Sequence, residues 1–256
     1  MLVIRNEQMD VFREDALLRF EDEMMAHSKD FTLRLCEVLG DKQLRVAVHS
    51  AIERAKEYGF TNRGPIRLFI EMMFLCGSGF DTDPQYPAFG KILQADDEQM
   101  QRAEQIRQIH LDYLEKVSGP DAENVHRALK KLSLMAEQPL EFSEDQFVPG
   151  MLEEMDRTFP EKTAYVGDEG LTELIHEGRE KAQGYDFSTL RGQVLIVVLM
   201  FAFGHGCTDD PLYPWISRTL QDGRITSPAG RAARLEKKAL TWLDHVNARN
   251  EQRESV

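Results

Sequence analysis

The chain is poor in the residues that staple, anchor or electrostatically steer a protein. It has three cysteines, Cys36, Cys76 and Cys207, far apart and without a C-x-x-C pair. An odd, scattered set of this kind argues against a disulfide framework and fits reduced thiols in a cytosol. Long apolar runs are also missing. The longest, "VLIVVLMFAF" from Val194 to Phe203, is half of the about 20 residues a helix needs to cross a bilayer, so no membrane insertion is expected. The opening "MLVIRNEQMD" has neither a sustained apolar core nor a small-residue cleavage site, so no secretory signal is expected and the location expected is cytoplasmic. Positive charge is in deficit: 31 Lys and Arg stand against 44 Asp and Glu, for a net charge of -13. A chain this acidic, with no local basic patch, repels phosphate backbones, and nucleic acid is not an expected partner. H-E-x-x-H, the P-loop, G-x-S-x-G and the dinucleotide fingerprint are all lacking, and no cofactor is expected.

What the chain does have is itself, twice. Shifted by 127 residues it aligns without a gap from Asp41 to Gln94, on Asp168 to Gln221. His49 falls on His176, Glu53 on Glu180, Tyr58 on Tyr185 and Phe74 on Phe201; Gly77 and Gly79 fall on Gly204 and Gly206. "DPQYP" from Asp83 to Pro87 falls on "DPLYP" from Asp210 to Pro214. About a third of the aligned positions are identical, where chance gives roughly one in fifteen. With a two-residue slip, "YLEKV" at Tyr113 to Val117 falls on "WLDHV" at Trp242 to Val246. The period is the size of a small domain, far longer than a solenoid repeat. The expected organisation is a helical module in two tandem copies related by pseudo-two-fold symmetry: copy one over residues 1–120, a connecting helix over 121–139 and copy two over 140–256.

The repeat resolves the one ambiguous segment. "VLIVVLMFAF" alone reads as a buried strand or a buried helix. Its counterpart "IRLFIEMMFLC" places Arg67 and Glu71 four apart, a helical pair among helix-forming residues. Both segments therefore read as helices, and the fold class is all-α. Helices are expected over residues 7–28, with Met9, Phe12, Phe20 and Met24 on one face, then up to Gly40, from Asp41 to Tyr58, and from Thr61 to Gly77. Others are expected over 88–94 and 97–117, with Met100 and Ile106 inward. The same order should recur in the second half, with Asp168 and Ser188 as caps and a frayed tail from Asn247.

Three sets of residues attract functional readings. In the D-P-x-Y-P loops, prolines bracket Tyr86 and Tyr213 and restrict the backbone around them, so each ring is held as a core plug or an interface anchor. Asp83, Tyr86, Asp210, Tyr213 and Trp215 are the candidate partner-binding residues. Trp215 stands where copy one has Ala88, and the divergence marks it as the foremost contact. The second set is His205, Cys207, Asp209 and Asp210, all metal-ligand types. Copy one has Ser78 and Phe80 at the histidine and cysteine positions, so no metal is expected. The third is His49-x-x-x-Glu53 with its echo His176-x-x-x-Glu180, on one helix face in each copy. It reads as a surface pair or, as an alternative, as the acid–base or metal pair of an enzyme.

The stretch "FEDEMMAHSKDF", then "GDKQL", "AIERAKEYGFT" and "FIEMMFLCGSGFDTDPQYP", resembles small helical accessory proteins encoded beside type VI secretion PAAR-repeat spike and effector genes. Those proteins are typically single-copy, so the doubled pattern is a departure. The resemblance implies a non-enzymatic adaptor or chaperone-like role toward a secreted effector or spike protein, and it assigns no catalytic residue. An immunity protein that neutralises a toxin by direct binding is the alternative of a related class.

Overall fold

The structure is a computed structural model that describes residues 6–254, with side chains from 15 to 247 except Arg34 and Glu137. The expected inward side chains Met9 and Phe12 lie outside the described residues. Among the described residues there are eleven α-helices and no strand. They are α1 Asn6–Phe31, α2 Leu33–Glu57, α3 Arg63–Cys76, α4 Pro87–Leu93, α5 Gln99–Tyr113, α6 Glu123–Glu137, α7 Phe147–Thr158, α8 Pro160–Gly184, α9 Leu190–Phe203, α10 Pro214–Leu220 and α11 Pro228–Glu254. The apolar run from Val194 to Phe203 is the greater part of α9, and most of that helix is buried. Its β-branched residues tolerate helix because packing, not propensity, decides a buried segment.

Helix boundaries keep the sequence offset. Helices α8, α9 and α10 begin and end 127 residues after α2, α3 and α4. Backbone breaks keep it too. Gly40 and Gly167 turn α2 and α8 at φ 72°, ψ 158° and φ 79°, ψ 162°. Gly77 and Gly204 end α3 and α9 at φ 93°, ψ 156° and φ 93°, ψ 154°. Left-handed φ is the region where a Cβ clashes and glycine does not. At the next such corner the halves differ: Gly59 has φ 72°, and Asp186 adopts φ 61° with a side chain attached.

Several local expectations are corrected. Thr189, not Ser188, caps α9, its hydroxyl accepting the Gly192 N–H at 3.2 Å. Helix α5 ends at Tyr113 and the chain widens into a π-turn over Leu114–Ser118, closed by the Gly119 N–H on the Leu114 carbonyl. Met100, expected inward, lies in the first turn of α5 and is 56% exposed, and the helix is buried only from Arg102 and Ala103 onward. Helix α11 runs on to Glu254, through the segment expected to fray. The buried side chains form one continuous cluster that draws on both halves, from Met24 to Ala239.

The loops after α3 and α9 meet back to back. A Cβ on Gly77 would stand 2.4 Å from the Phe203 carbonyl oxygen, and one on Gly204 would stand 2.5 Å from that of Cys76. Neither backbone can yield without moving a helix end. Gly77→Ala or Gly204→Ala is therefore expected to destabilise the protein by about 3 kcal/mol or more, through clash and left-handed strain together. At Gly40, where a Cβ meets nothing within 4 Å, the same change should cost less, about 1–3 kcal/mol from backbone strain alone. Urea midpoints of the three variants give the comparison.

Candidate functional site

Two short loops, Gly77–Tyr86 and Gly204–Tyr213, form the centre of the molecule. Each folds by the same internal bonds. Phe80 N–H donates to Gly77 C=O at 3.2 Å, and Cys207 N–H to Gly204 C=O at 3.1 Å. Thr82 and Asp209 donate to Gly79 and Gly206 at 3.0 Å each. Tyr86 and Tyr213 donate to the carbonyls of Asp83 and Asp210.

The aspartates then cross over. Asp83 accepts the His205 N–H at 2.7 Å, and Asp210 accepts the Ser78 N–H at 2.8 Å. Their other oxygens accept the N–H two residues on, Gln85 and Leu212, at 2.8 Å each. This is the turn-forming bond that aspartate supplies before proline. Burial pushes both carboxyls up, and the backbone N–H groups pull against it. Gln43 donates to the Pro211 carbonyl at 3.0 Å. At the matching place Gly170 lets the Pro84 carbonyl come within 2.6 Å of where a Cβ would be.

All the sequence-nominated loop residues lie at this seam. Asp83, Tyr86, Asp210 and Tyr213 are buried. Tyr213 lies against Phe203 with ring centroids 4.4 Å apart, and Trp242 meets Tyr213 edge-on at 6.3 Å. Tyr86 meets Tyr113 edge-on at 5.8 Å, which matches the two-residue slip between "YLEKV" and "WLDHV". Trp215 is half-buried, its ring edge-on to Phe203 at 6.3 Å. Its indole N–H is enclosed without an acceptor.

The metal-ligand types are dispersed. The His205 ring sits between the Glu177 carboxylate, 3.1 Å from Nδ1, and the Thr82 hydroxyl, 3.0 Å from Nε2. Cys207 is buried and its thiol is pushed far up by that burial. Asp209 points to solvent. No group of three metal-ligand side chains comes together among the described residues. The repeated His-x-x-x-Glu pair separates as well. His49 Nδ1 is 2.6 Å from Glu21, and Glu53 accepts from Lys56 at 2.6 Å. His176 and Glu180 are exposed.

Sequence reasoning missed Lys162. This lysine is buried, and its Nζ donates to the Phe201 carbonyl at 2.5 Å. The ammonium also lies over the Phe201 ring at 4.6 Å and near that of Tyr86 at 5.6 Å. Burial lowers its pKa to about 8, against the pull of Asp83. Leu35 holds the position 127 residues earlier, so the repeat gave no signal for it.

Two open surfaces remain. A shallow apolar groove of about 80 Å³ runs between α6, α9 and α11, lined by Leu132, Met135, Leu195, Val198, Ala202 and Leu240 among others. Arg191 closes one end, donating to Glu236 at 2.9 Å and to the carbonyl of Ala136. A wider polar cleft of about 940 Å³ is lined by Glu21, Arg45, His49, Glu57, Tyr58 and Asp81 among others. In it Arg54 Nε and the Tyr58 hydroxyl both donate to Asp81 Oδ2, at 2.8 and 2.6 Å. No helix among the described residues is long and apolar enough to cross a membrane. No family model, curated protein or solved structure matches this chain.

Two pH responses follow from the seam. For His205, burial alone would lower the pKa, but the Glu177 bond and the Asp83 charge outweigh it and raise the value above 6.5. Burial opposes ionisation of Glu177, yet His205 and Lys181 hold its pKa down to about 2. The carboxylate's contribution is present above its unfolded value and fades as pH falls toward 2; the imidazolium's is full below 6.5 and fades as pH rises through its raised value. Stability from the pair should therefore decline as pH rises from 6.5 through the raised imidazole value, and Glu177→Gln should flatten that decline in urea titrations. Lys162 acts in the opposite sense. The unfolded chain holds this proton more tightly than the native one, so stability should rise from pH 8 to about 9.5, before tyrosines ionise. Lys162→Met should abolish the rise.

Proposed function

We propose that this protein is a non-enzymatic adaptor that binds a secreted effector or spike protein, and that the apolar groove between α6, α9 and α11 is its docking surface. The groove carries the reading. Its lining is almost wholly aliphatic, and Ala202 on its floor is exposed. A channel between helices, apolar and open along one side, suits the apolar face of an amphipathic helix presented by the partner. The resemblance of "FIEMMFLCGSGFDTDPQYP" and its flanking motifs to type VI accessory proteins supplies the class of partner. That His49 and Glu53 bond to different neighbours, 2.6 Å away in each case, favours binding over acid–base chemistry. The three buried free thiols suit action in the cytosol. The net charge of -13 favours a second reading, an immunity protein that masks a basic toxin surface.

The same proposal holds that the two halves are copies of one module joined by α6 and related by a rotation near two-fold. It is supported by the common helix boundaries, by the paired torsions at Gly77 and Gly204, and by the crossed bonds from Asp83 and Asp210. A reciprocal exchange of identical bonds is what a two-fold operator produces.

Ala202→Asp is the direct test. An exposed alanine tolerates substitution within about 0.5 kcal/mol, so the melting curve should hardly move. Capture of effector or spike protein from the native host should fall about tenfold, since a charge would be desolvated on docking. Undiminished capture would reject the groove as the docking surface. Rescue of growth from a co-expressed toxin, without capture of spike components, would favour the immunity reading instead.

A further inference from the structure

The polar cleft contains one atom that nothing in the fold satisfies. The Asp81 side chain is fully buried in the wall of the cleft. Its Oδ2 accepts from both Arg54 and Tyr58, while Oδ1 is enclosed and has no partner. A buried carboxylate oxygen without a donor is among the least favourable arrangements a protein can hold.

The fold does not require a carboxylate here. The position 127 residues later is Thr208, and Lys181 stands in place of Arg54 and donates to the His205 carbonyl at 2.6 Å. Both turns form with the same backbone bonds, as in Thr82 to Gly79 and Asp209 to Gly206. Asp81 is thus an addition to a turn that closes without it.

The other charges of the cleft are largely committed. Arg45 is held by Asp22 at 2.6 Å and Glu21 at 3.4 Å. His49 is held by Glu21 and Glu53 by Lys56, at 2.6 Å each. Glu57 has no hydrogen bond or ion pair among the described residues, and Lys42 is exposed at the mouth. A solvated ammonium needs no partner, whereas an enclosed carboxylate oxygen does. The unmet demand of the cleft is for a donor, and best for a charged one.

We propose that this cleft is a binding site for a guanidinium or alkylammonium group, with Asp81 Oδ1 accepting its N–H and Glu57 flanking it at the rim. The group arrives either on the arginine or lysine side chain of a polypeptide or on a free small amine. The inference uses no residue of the apolar groove, so the two stand or fall separately.

Calorimetric titration of the full chain tests it, with agmatine, free arginine, an arginine-bearing hexapeptide and inorganic phosphate as probes. Saturable binding of at least one cation is expected at roughly 1 mM or below. Asp81→Asn should weaken it about tenfold or more, because a charge-assisted bond to the buried oxygen is lost. Val46→Arg, at a half-exposed cleft position, should block it by supplying a guanidinium from the protein itself, and it decides the matter if Asp81→Asn fails to fold. Binding of the hexapeptide alone would identify a polypeptide source, and binding of agmatine or arginine a small-molecule source. Absence of cation binding, binding that survives both variants, or tighter binding of phosphate would overturn the proposal.

Discussion

Everything else in this protein is arranged around the contact between two backbones at Gly77 and Gly204. The helices α3 and α9 end there with their terminal carbonyls pressed toward each other's glycines, closer than any Cβ would permit. The N–H groups of Ser78 and His205, next after the two glycines, are buried by this approach and must be paired, and the carboxylates of Asp210 and Asp83 accept them, each serving the other loop. Proline after each aspartate fixes the turn that delivers the carboxylate. The tyrosines, in turn, close the seam against aromatic side chains of α9, α11 and the end of α5. The doubled D-P-x-Y-P therefore makes sense as a joint before it makes sense as a surface.

Much of this was legible in the sequence, and the parts that were not share a cause. The all-α class and the helix breaks at Gly40, Gly59, Gly77 and Gly204 were readable, because glycine marks a conformation that other residues resist. The common register of α2, α3 and α4 with α8, α9 and α10 was readable because identity was spread over the whole stretch. What a side chain bonds to across 120 residues was not. Asp83 and Asp210 were nominated for a partner surface, and the structure places them inside, bound to the opposite loop. Nothing local in "DTDP" distinguishes a carboxylate that meets solvent from one that meets a distant N–H. Lys162 and Asp81 escaped for the converse reason. Each lies where the repeat disagrees with itself, so the periodicity carries no mark of it.

At those disagreements the two halves differ in surface as well as in sequence. The first half keeps an acidic, open cleft over Asp81, Arg54 and Tyr58. The second fills the corresponding turn with Thr208 and turns its lysine toward a backbone carbonyl. Conversely, the second half carries the apolar groove beside α9, where α3 has Arg67 and Glu71 at the places of Val194 and Val198.

The crossed aspartates also set a schedule for synthesis. Asp83 leaves the ribosome about 120 residues ahead of its donor partner His205, and contacts between residues so far apart in the chain form slowly. Until then the end of α3, with Cys76 and Phe80, has no second loop to cover it. The amino-terminal half must wait, glycines bare, for the last third of the chain to be made. A product truncated before the second loop would leave this face exposed permanently.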